Sequence, residues 1–86
     1  MPYRIEIKRQ AANKLKGLPR SERLRIADKI DQLAVDPDEQ ALDVKPLEGS
    51  NLFRLRVGGW RVIYSREDQL RIISIEKIGA RGDVYK

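Results

Sequence analysis

The chain has 86 residues, 36% of them charged and 41% hydrophobic, a mix that suits one small folded domain spanning 1–86 and not a disordered tail. It has neither cysteine nor histidine, which excludes disulfides, Cys-based zinc sites and the commonest general base and metal ligand, so no metal or cofactor is expected and any catalysis falls to Lys, Arg, Tyr or carboxylates. The net charge is +5 and unevenly spread: residues 1–19 hold five basic and one acidic residue, residues 20–50 five and eight, and residues 51–86 eight and four. Such a basic end suits a polyanionic partner, most often nucleic acid, or is simply a solvated basic surface.

The opening MPYRIEIK has no signal-peptide core, and no apolar run approaches the roughly 20 residues of a membrane span, so a cytoplasmic location is expected. Residues 3–8 alternate, with Tyr3, Ile5 and Ile7 on one side and Arg4, Glu6 and Lys8 on the other, which predicts a half-buried strand. The period then changes. Ala11, Ala12, Leu15 and Leu18 recur at helical spacing, and Gly17 with Pro19 closes a first helix over 9–17. A second helix is predicted from about Ser21 to Val35, with Leu24, Ala27, Ile30, Leu33 and Ala34 as its buried stripe and Ile26 at the edge. Asp36-Pro37 ends it, because a residue before proline disfavours the helical region.

Residues 36–50 read as a loop, with two prolines and a Gly-Ser pair. Three strands are predicted to follow, at Leu52–Val57, Trp60–Arg66 and Leu70–Ile78, with Gly58-Gly59 as the hairpin turn and Gly79 as the end of the last strand. The order β-α-α-β-β-β gives an α+β fold, a small antiparallel sheet with a two-helix hairpin on one face. The first strand is expected at the edge of the meander or beside its last strand.

A two-residue turn at Gly58-Gly59 sets Val57 opposite Trp60, Arg56 opposite Arg61, Leu55 opposite Val62 and Arg54 opposite Ile63. Cross-strand partners share a face, so Phe53, Leu55, Val57, Trp60, Val62 and Tyr64 turn to the helices, and Arg54, Arg56 and Arg61 turn away. Like charges directly opposed are destabilising. Either an anion bound between Arg56 and Arg61 relieves the repulsion, or the side chains splay into water, or Glu76 or Glu6 neutralises them. Trp60 reads as a core residue more than as a stacking platform for a base. Lys45, in the loop, reads equally as a backbone contact and as an ordinary solvated lysine.

The run NLFRLRVGGWRVIY, followed by a strand and IGARGDVYK, resembles the RelE/ParE superfamily of bacterial and archaeal toxins. The similarity takes in the opening YRIEIKRQAANKLKGLP, the helix ending in DP and the segment VKPLEGS, and so covers almost the whole chain. The resemblance implies a RelE-like toxin of a type II toxin–antitoxin system, a ribosome-dependent mRNA endoribonuclease that inhibits translation. It implies an antitoxin partner, in a heterotetramer, and the ribosome with its message as target. Matched motif to motif, it implies Arg61 and Arg81 as catalytic arginines on phosphate and Tyr85 as the C-terminal tyrosine. Arg54 and Arg56 fall where relatives often carry paired lysines or arginines, as catalytic and RNA-binding residues beside Lys45. The chain departs from the common pattern at Ala80 and Gly82, where basic residues are frequent.

In that chemistry the RNA 2′-oxygen attacks the adjacent phosphorus, and Arg61 and Arg81 stabilise the growing negative charge. Tyr85 stacks on a base, holds the 2′-hydroxyl, acts as base, or only anchors the tail. Asp83 and Glu76 are carboxylates whose spacing does not single them out as bases. A ParE-like toxin that inhibits DNA gyrase by binding, and an RNA-binding relative without turnover, are the alternatives. The first generally lacks the full basic cluster.

Overall fold

The computed structural model describes residues 2–80. The elements are β1 (Arg4–Ile7), α1 (Arg9–Lys16), α2 (Arg20–Val35), β2 (Val44–Pro46), β3 (Phe53–Val57), β4 (Trp60–Glu67) and β5 (Ile72–Ala80). They form a five-stranded sheet in the order β1-β5-β4-β3-β2. The β2–β3, β3–β4 and β4–β5 pairs are antiparallel, and β1 lies parallel to β5. The sheet is therefore mixed, not wholly antiparallel as the sequence predicts. The first strand does lie beside the last one, at an edge.

The helices cover one face. Ala11, Leu18, Ile26, Ile30 and Leu33 pack on Leu55, Val57, Val62, Tyr64, Ile73, Ile75 and Ile78, with Tyr3, Ile5, Phe53 and Trp60 at the margin. On α2 the buried stripe runs through Ile26, Ile30 and Leu33, while Leu24 is 54% exposed. Positions 24 and 26 point about 200° apart on a helix, so only one of them can face the sheet. The turn through Leu18 and Pro19 starts α2 at Arg20 and turns Ile26 inward.

Two further departures from the sequence reading bear on the functional face. The stretch read as a loop contains β2, whose Val44 pairs with Leu55, Lys45 with Arg54 and Pro46 with Phe53. Three residues ending in proline carry little strand signal, yet an edge strand tolerates a proline because one side of it needs no hydrogen bonds. The last strand starts at Ile72 and not at Leu70, which lies exposed in a turn closed by Arg71 at φ 54°, and it runs through Gly79 to Ala80.

β5 also carries a bulge. Its register with β4 shifts between Ile63, opposite Lys77, and Tyr64, opposite Ile75, leaving Glu76 as the extra residue. This explains the spacing of the buried residues Ile73, Ile75 and Ile78: two residues, then three. Gly58 has φ +60°, the sign that a type II′ hairpin turn demands at its first central position. Among the described residues no helix is long and apolar enough to cross a membrane.

Candidate functional site

The β3–β4 register is the one the two-residue turn dictates: Val57 opposite Trp60, Arg56 opposite Arg61, Leu55 opposite Val62 and Arg54 opposite Ile63. Leu55, Val57, Val62 and Tyr64 are buried under the helices, so Arg54, Arg56 and Arg61 stand on the other face. The Arg56 backbone N–H donates to the Asp43 carbonyl at 2.9 Å, across β2. Arg56 and Arg61 are therefore a non-hydrogen-bonded pair, the closer of the two cross-strand geometries.

Both guanidinium groups turn toward the hairpin. Arg56 Nε donates to the Gly58 carbonyl at 3.4 Å, and Arg61 Nη1 donates to the same oxygen at 3.5 Å and to the Trp60 carbonyl at 3.2 Å. Neither makes an ion pair among the described residues. Glu6 pairs with Arg4 at 3.3 Å instead, and Glu76 makes no ion pair among the described residues. Neither carboxylate neutralises the opposed arginines.

Arg54 is in a different state. Its side chain is only 15% exposed, its Nη2 donates to Asp43 Oδ1 at 2.7 Å, and its buried Nε has no partner among the described residues. Lys45 lies opposite Arg54 on β2, and Lys77 opposite Ile63 on β5. Four strands thus contribute Lys45, Arg54, Ile63 and Lys77 as one transverse row, with Arg56 and Arg61 in the next. Ile63 is buried on this face and forms an apolar floor between cations. A surface of this kind takes a phosphodiester: charge for the phosphates, an apolar patch for a base or sugar.

The sequence reading missed Asp43, because it assigned residues 36–50 to a loop. The alternation Asp43-Val44-Lys45, with Val44 turned inward, is the signal that could have found it. It also passed over Arg66, which lies at the other end of the sheet on the helix side. Arg66 donates to both oxygens of Asp38 (3.0 and 3.4 Å) and to Asp68 (2.8 Å), and sits over the rings of Tyr3 and Phe53. The bond from Arg66, helped by one from Tyr3, holds the Asp68 carboxyl below its ordinary range. Burial pushes the nearby Tyr64 phenol up to about 12, against a smaller downward pull from Arg66. This cluster locks α2 and the sheet together and lies away from the arginine pair. Trp60 packs at the core margin, with Nε1 donating to Glu22 at 3.3 Å and Lys14 over its ring. Arg81, Asp83 and Tyr85 lie outside the described residues.

Comparison with known proteins gives the fold a context. The RelE–RelB complex of Pyrococcus horikoshii OT3 contains a chain with 36% identity and a TM-score of 0.83, covering 96% of this chain and 99% of that one. The intact Escherichia coli RelBE toxin–antitoxin complex shares the fold at 20% identity and a TM-score of 0.76, covering 92% and 96%. A Methanocaldococcus jannaschii protein assigned as toxin RelE1 is 35% identical over 100% of this chain and 98% of its own length. The fold is that of the RelE-type toxins. Residues 5–85 match the model of the ParE toxin of type II toxin–antitoxin systems, and the chain belongs to that family, within the RelE/ParE superfamily.

Proposed function

We propose that this toxin is a ribosome-dependent mRNA endoribonuclease, which arrests translation in the cytoplasm by cutting messages through attack of the RNA 2′-oxygen on the adjacent phosphorus. One observation carries the reading. Arg56 and Arg61 stand directly opposed on the face away from the helices, with no carboxylate among the described residues bound to either. A fold selected for stability alone avoids such a pair, and a phosphate between the two resolves it.

In this reading Arg61 and Arg56 hold the scissile phosphate and stabilise the charge that grows on its oxygens. Lys45 and Lys77 extend the track along the RNA backbone. Arg81 follows Ala80 directly in sequence, and Ala80 is the β5 partner of Trp60, the residue before Arg61. That adjacency supports a third phosphate donor at Arg81, with Tyr85 acting on a base or on a reacting oxygen. The attack produces a 2′,3′-cyclic phosphate and a 5′-hydroxyl, and its chemistry requires no metal.

A cognate antitoxin is the expected partner, since the Pyrococcus horikoshii and Escherichia coli relatives are found in RelE–RelB and RelBE complexes. The match to a ParE toxin model favours a second reading, inhibition of DNA gyrase by binding. The cationic cluster favours the first. Incubating the protein with translating ribosomes and mapping new 5′ ends on the message tests both: codon-phased ends support the ribonuclease, and their absence alongside gyrase-dependent DNA breaks supports the alternative.

A further inference from the structure

The opposed arginines cannot themselves accept a proton. Attack by the 2′-hydroxyl releases a proton, and arginine holds its own proton far above neutral pH. Among the described residues, one carboxylate stands beside the opposed arginines. Asp43 immediately precedes β2, its carbonyl accepts the Arg56 N–H at 2.9 Å, and its Oδ1 accepts from Arg54 Nη2 at 2.7 Å. Val44, the next residue, pairs with Leu55 of the core face, which turns Asp43 and Lys45 to the arginine side. Asp43, Arg56, Arg61 and Gly79 therefore form one transverse row across four strands. Glu6 lies at the far edge, bound to Arg4. Glu76 lies in the bulge, beside the row of Ile63 and not that of Arg61.

We propose that Asp43 is the general base of the cleavage reaction, oriented by Arg54; this rests on the ribonuclease reading above. Neighbouring strands are about 4.8 Å apart, so a phosphate between Arg56 and Arg61 sits about one to two strand spacings from Asp43. A nucleotide's ribose spans that gap. Arg54 fixes Oδ1 and leaves Oδ2 for the 2′-hydroxyl, the arrangement of a base oriented by a third group. The burial figures agree with this division: the orienting Arg54 side chain is 15% exposed, and the Asp43 side chain is 55% exposed and open to substrate.

The step balances without a further reagent. The 2′-O–H proton passes to Asp43 Oδ2 as the O2′–P bond forms. The P–O5′ bond breaks, and the leaving oxygen takes a proton from water. Asp43 then returns its proton to solvent. The row also gives the reaction a direction, with the 2′-oxygen on the β2 side of the phosphate and the 5′-oxygen on the β5 side.

The test uses the full chain with programmed ribosomes, measuring single-turnover message cleavage, ribosome affinity and thermal melting. Asp43→Asn keeps an oxygen for Arg54 and loses the proton acceptor. Cleavage is expected to fall by about 10² or more, with affinity within about threefold of wild type or tighter, since a negative charge leaves a cationic surface. Asp43→Glu should cleave faster than Asp43→Asn. Wild-type cleavage by Asp43→Asn with slow cleavage by Asp43→Ala means that Asp43 only positions Arg54, and overturns the proposal. So does a loss of affinity that accounts for the whole loss of rate. If Asp43→Asn does not fold, the pair Asp43→Glu and Asp43→Gln carries the same comparison. A wild-type protein that cuts no message overturns the ribonuclease reading, and this base with it.

Discussion

Replacing Arg56 by glutamine should make the protein more stable and a worse binder of phosphate at once. Arg56 and Arg61 are a non-hydrogen-bonded cross-strand pair, with Cβ atoms about 4.5–5.5 Å apart. With the charged ends splayed to about 7 Å, Coulomb's law gives a repulsion of about 0.6 kcal/mol at the dielectric of water and about 2.4 kcal/mol at a surface value of 20. Salt at physiological strength screens over about 8 Å, which brings the net cost to about 0.25–1 kcal/mol. The contact that Arg56 loses, Nε to the Gly58 carbonyl at 3.4 Å, is long and weak, and Arg61 reaches the same oxygen. Arg56→Gln should therefore raise the melting temperature by about 1–8 °C in a domain of this size. Inorganic phosphate supplies the other half of the test. If it binds between the two arginines with a Kd of about 5 mM, 50 mM phosphate stabilises the wild type by about 1.4 kcal/mol and Arg56→Gln by much less. Chloride at matched ionic strength is the control. A variant that melts at or below the wild type, together with equal phosphate stabilisation of both proteins, refutes the idea that the pair is strained in order to bind an anion.

Four other substitutions and two conditions test the remaining parts. Arg61→Ala and Arg81→Ala should each lower message cleavage on ribosomes by about 10² or more with melting nearly unchanged, the scale of a lost transition-state donor; near wild-type cleavage by both excludes them from the site. Tyr64→Phe should stabilise the fold by about 1 kcal/mol, because the buried hydroxyl has no partner and the ring still stacks on Phe53. Wild-type stability should also decline as pH rises from 10 to about 12, where the unfolded chain ionises this phenol and the folded chain does not, and the decline should be smaller in Tyr64→Phe on alkaline denaturation curves. Arg66→Ala should lower the melting temperature by about 4–8 °C, through loss of the Asp38 fork and of contact with Tyr3 and Phe53, while leaving ribosome binding unchanged. Antitoxin binding should weaken only in part at high salt in a titration series, because apolar contacts survive the screening that removes charge contacts.

The hairpin was legible in the sequence because its information is local. Two glycines fix the turn, the turn fixes the register, and strict alternation assigns the faces, so Arg56 and Arg61 are opposed before any tertiary structure is known. β2 was not legible, since its evidence is three residues and a partner strand, and pairing is decided by Leu55 and the core beneath it. With β2 went Asp43. On α2 the periodicity located the helix but not its rotation, because Leu24 and Ile26 are both large and apolar and the entry through Leu18 and Pro19 chooses between them. The bulge in β5 is visible in hindsight as a three-residue step between Ile75 and Ile78, which an alternating pattern cannot accommodate.

Three of the four arginines between positions 54 and 66 reach three different chemical states, and residue type explains none of the differences. Arg66 and Arg54 are equally buried, yet Arg66 faces the helices and is held by two carboxylates and two aromatic rings, as a structural clamp. Arg54 faces the other way and has one carboxylate, Asp43, placed diagonally from it on β2. Arg56, two residues on and directly across from Asp43, has the closer backbone but no ion pair. The carboxylate bonds one of its two neighbours, the more deeply buried Arg54, where an unpaired charge is more costly. That choice leaves Arg56, exposed, and Arg61, half-buried, opposed and without an ion pair among the described residues. The position of one short edge strand, and not the arginine motif by itself, thus separates the cations that support the face from those that can take a phosphate.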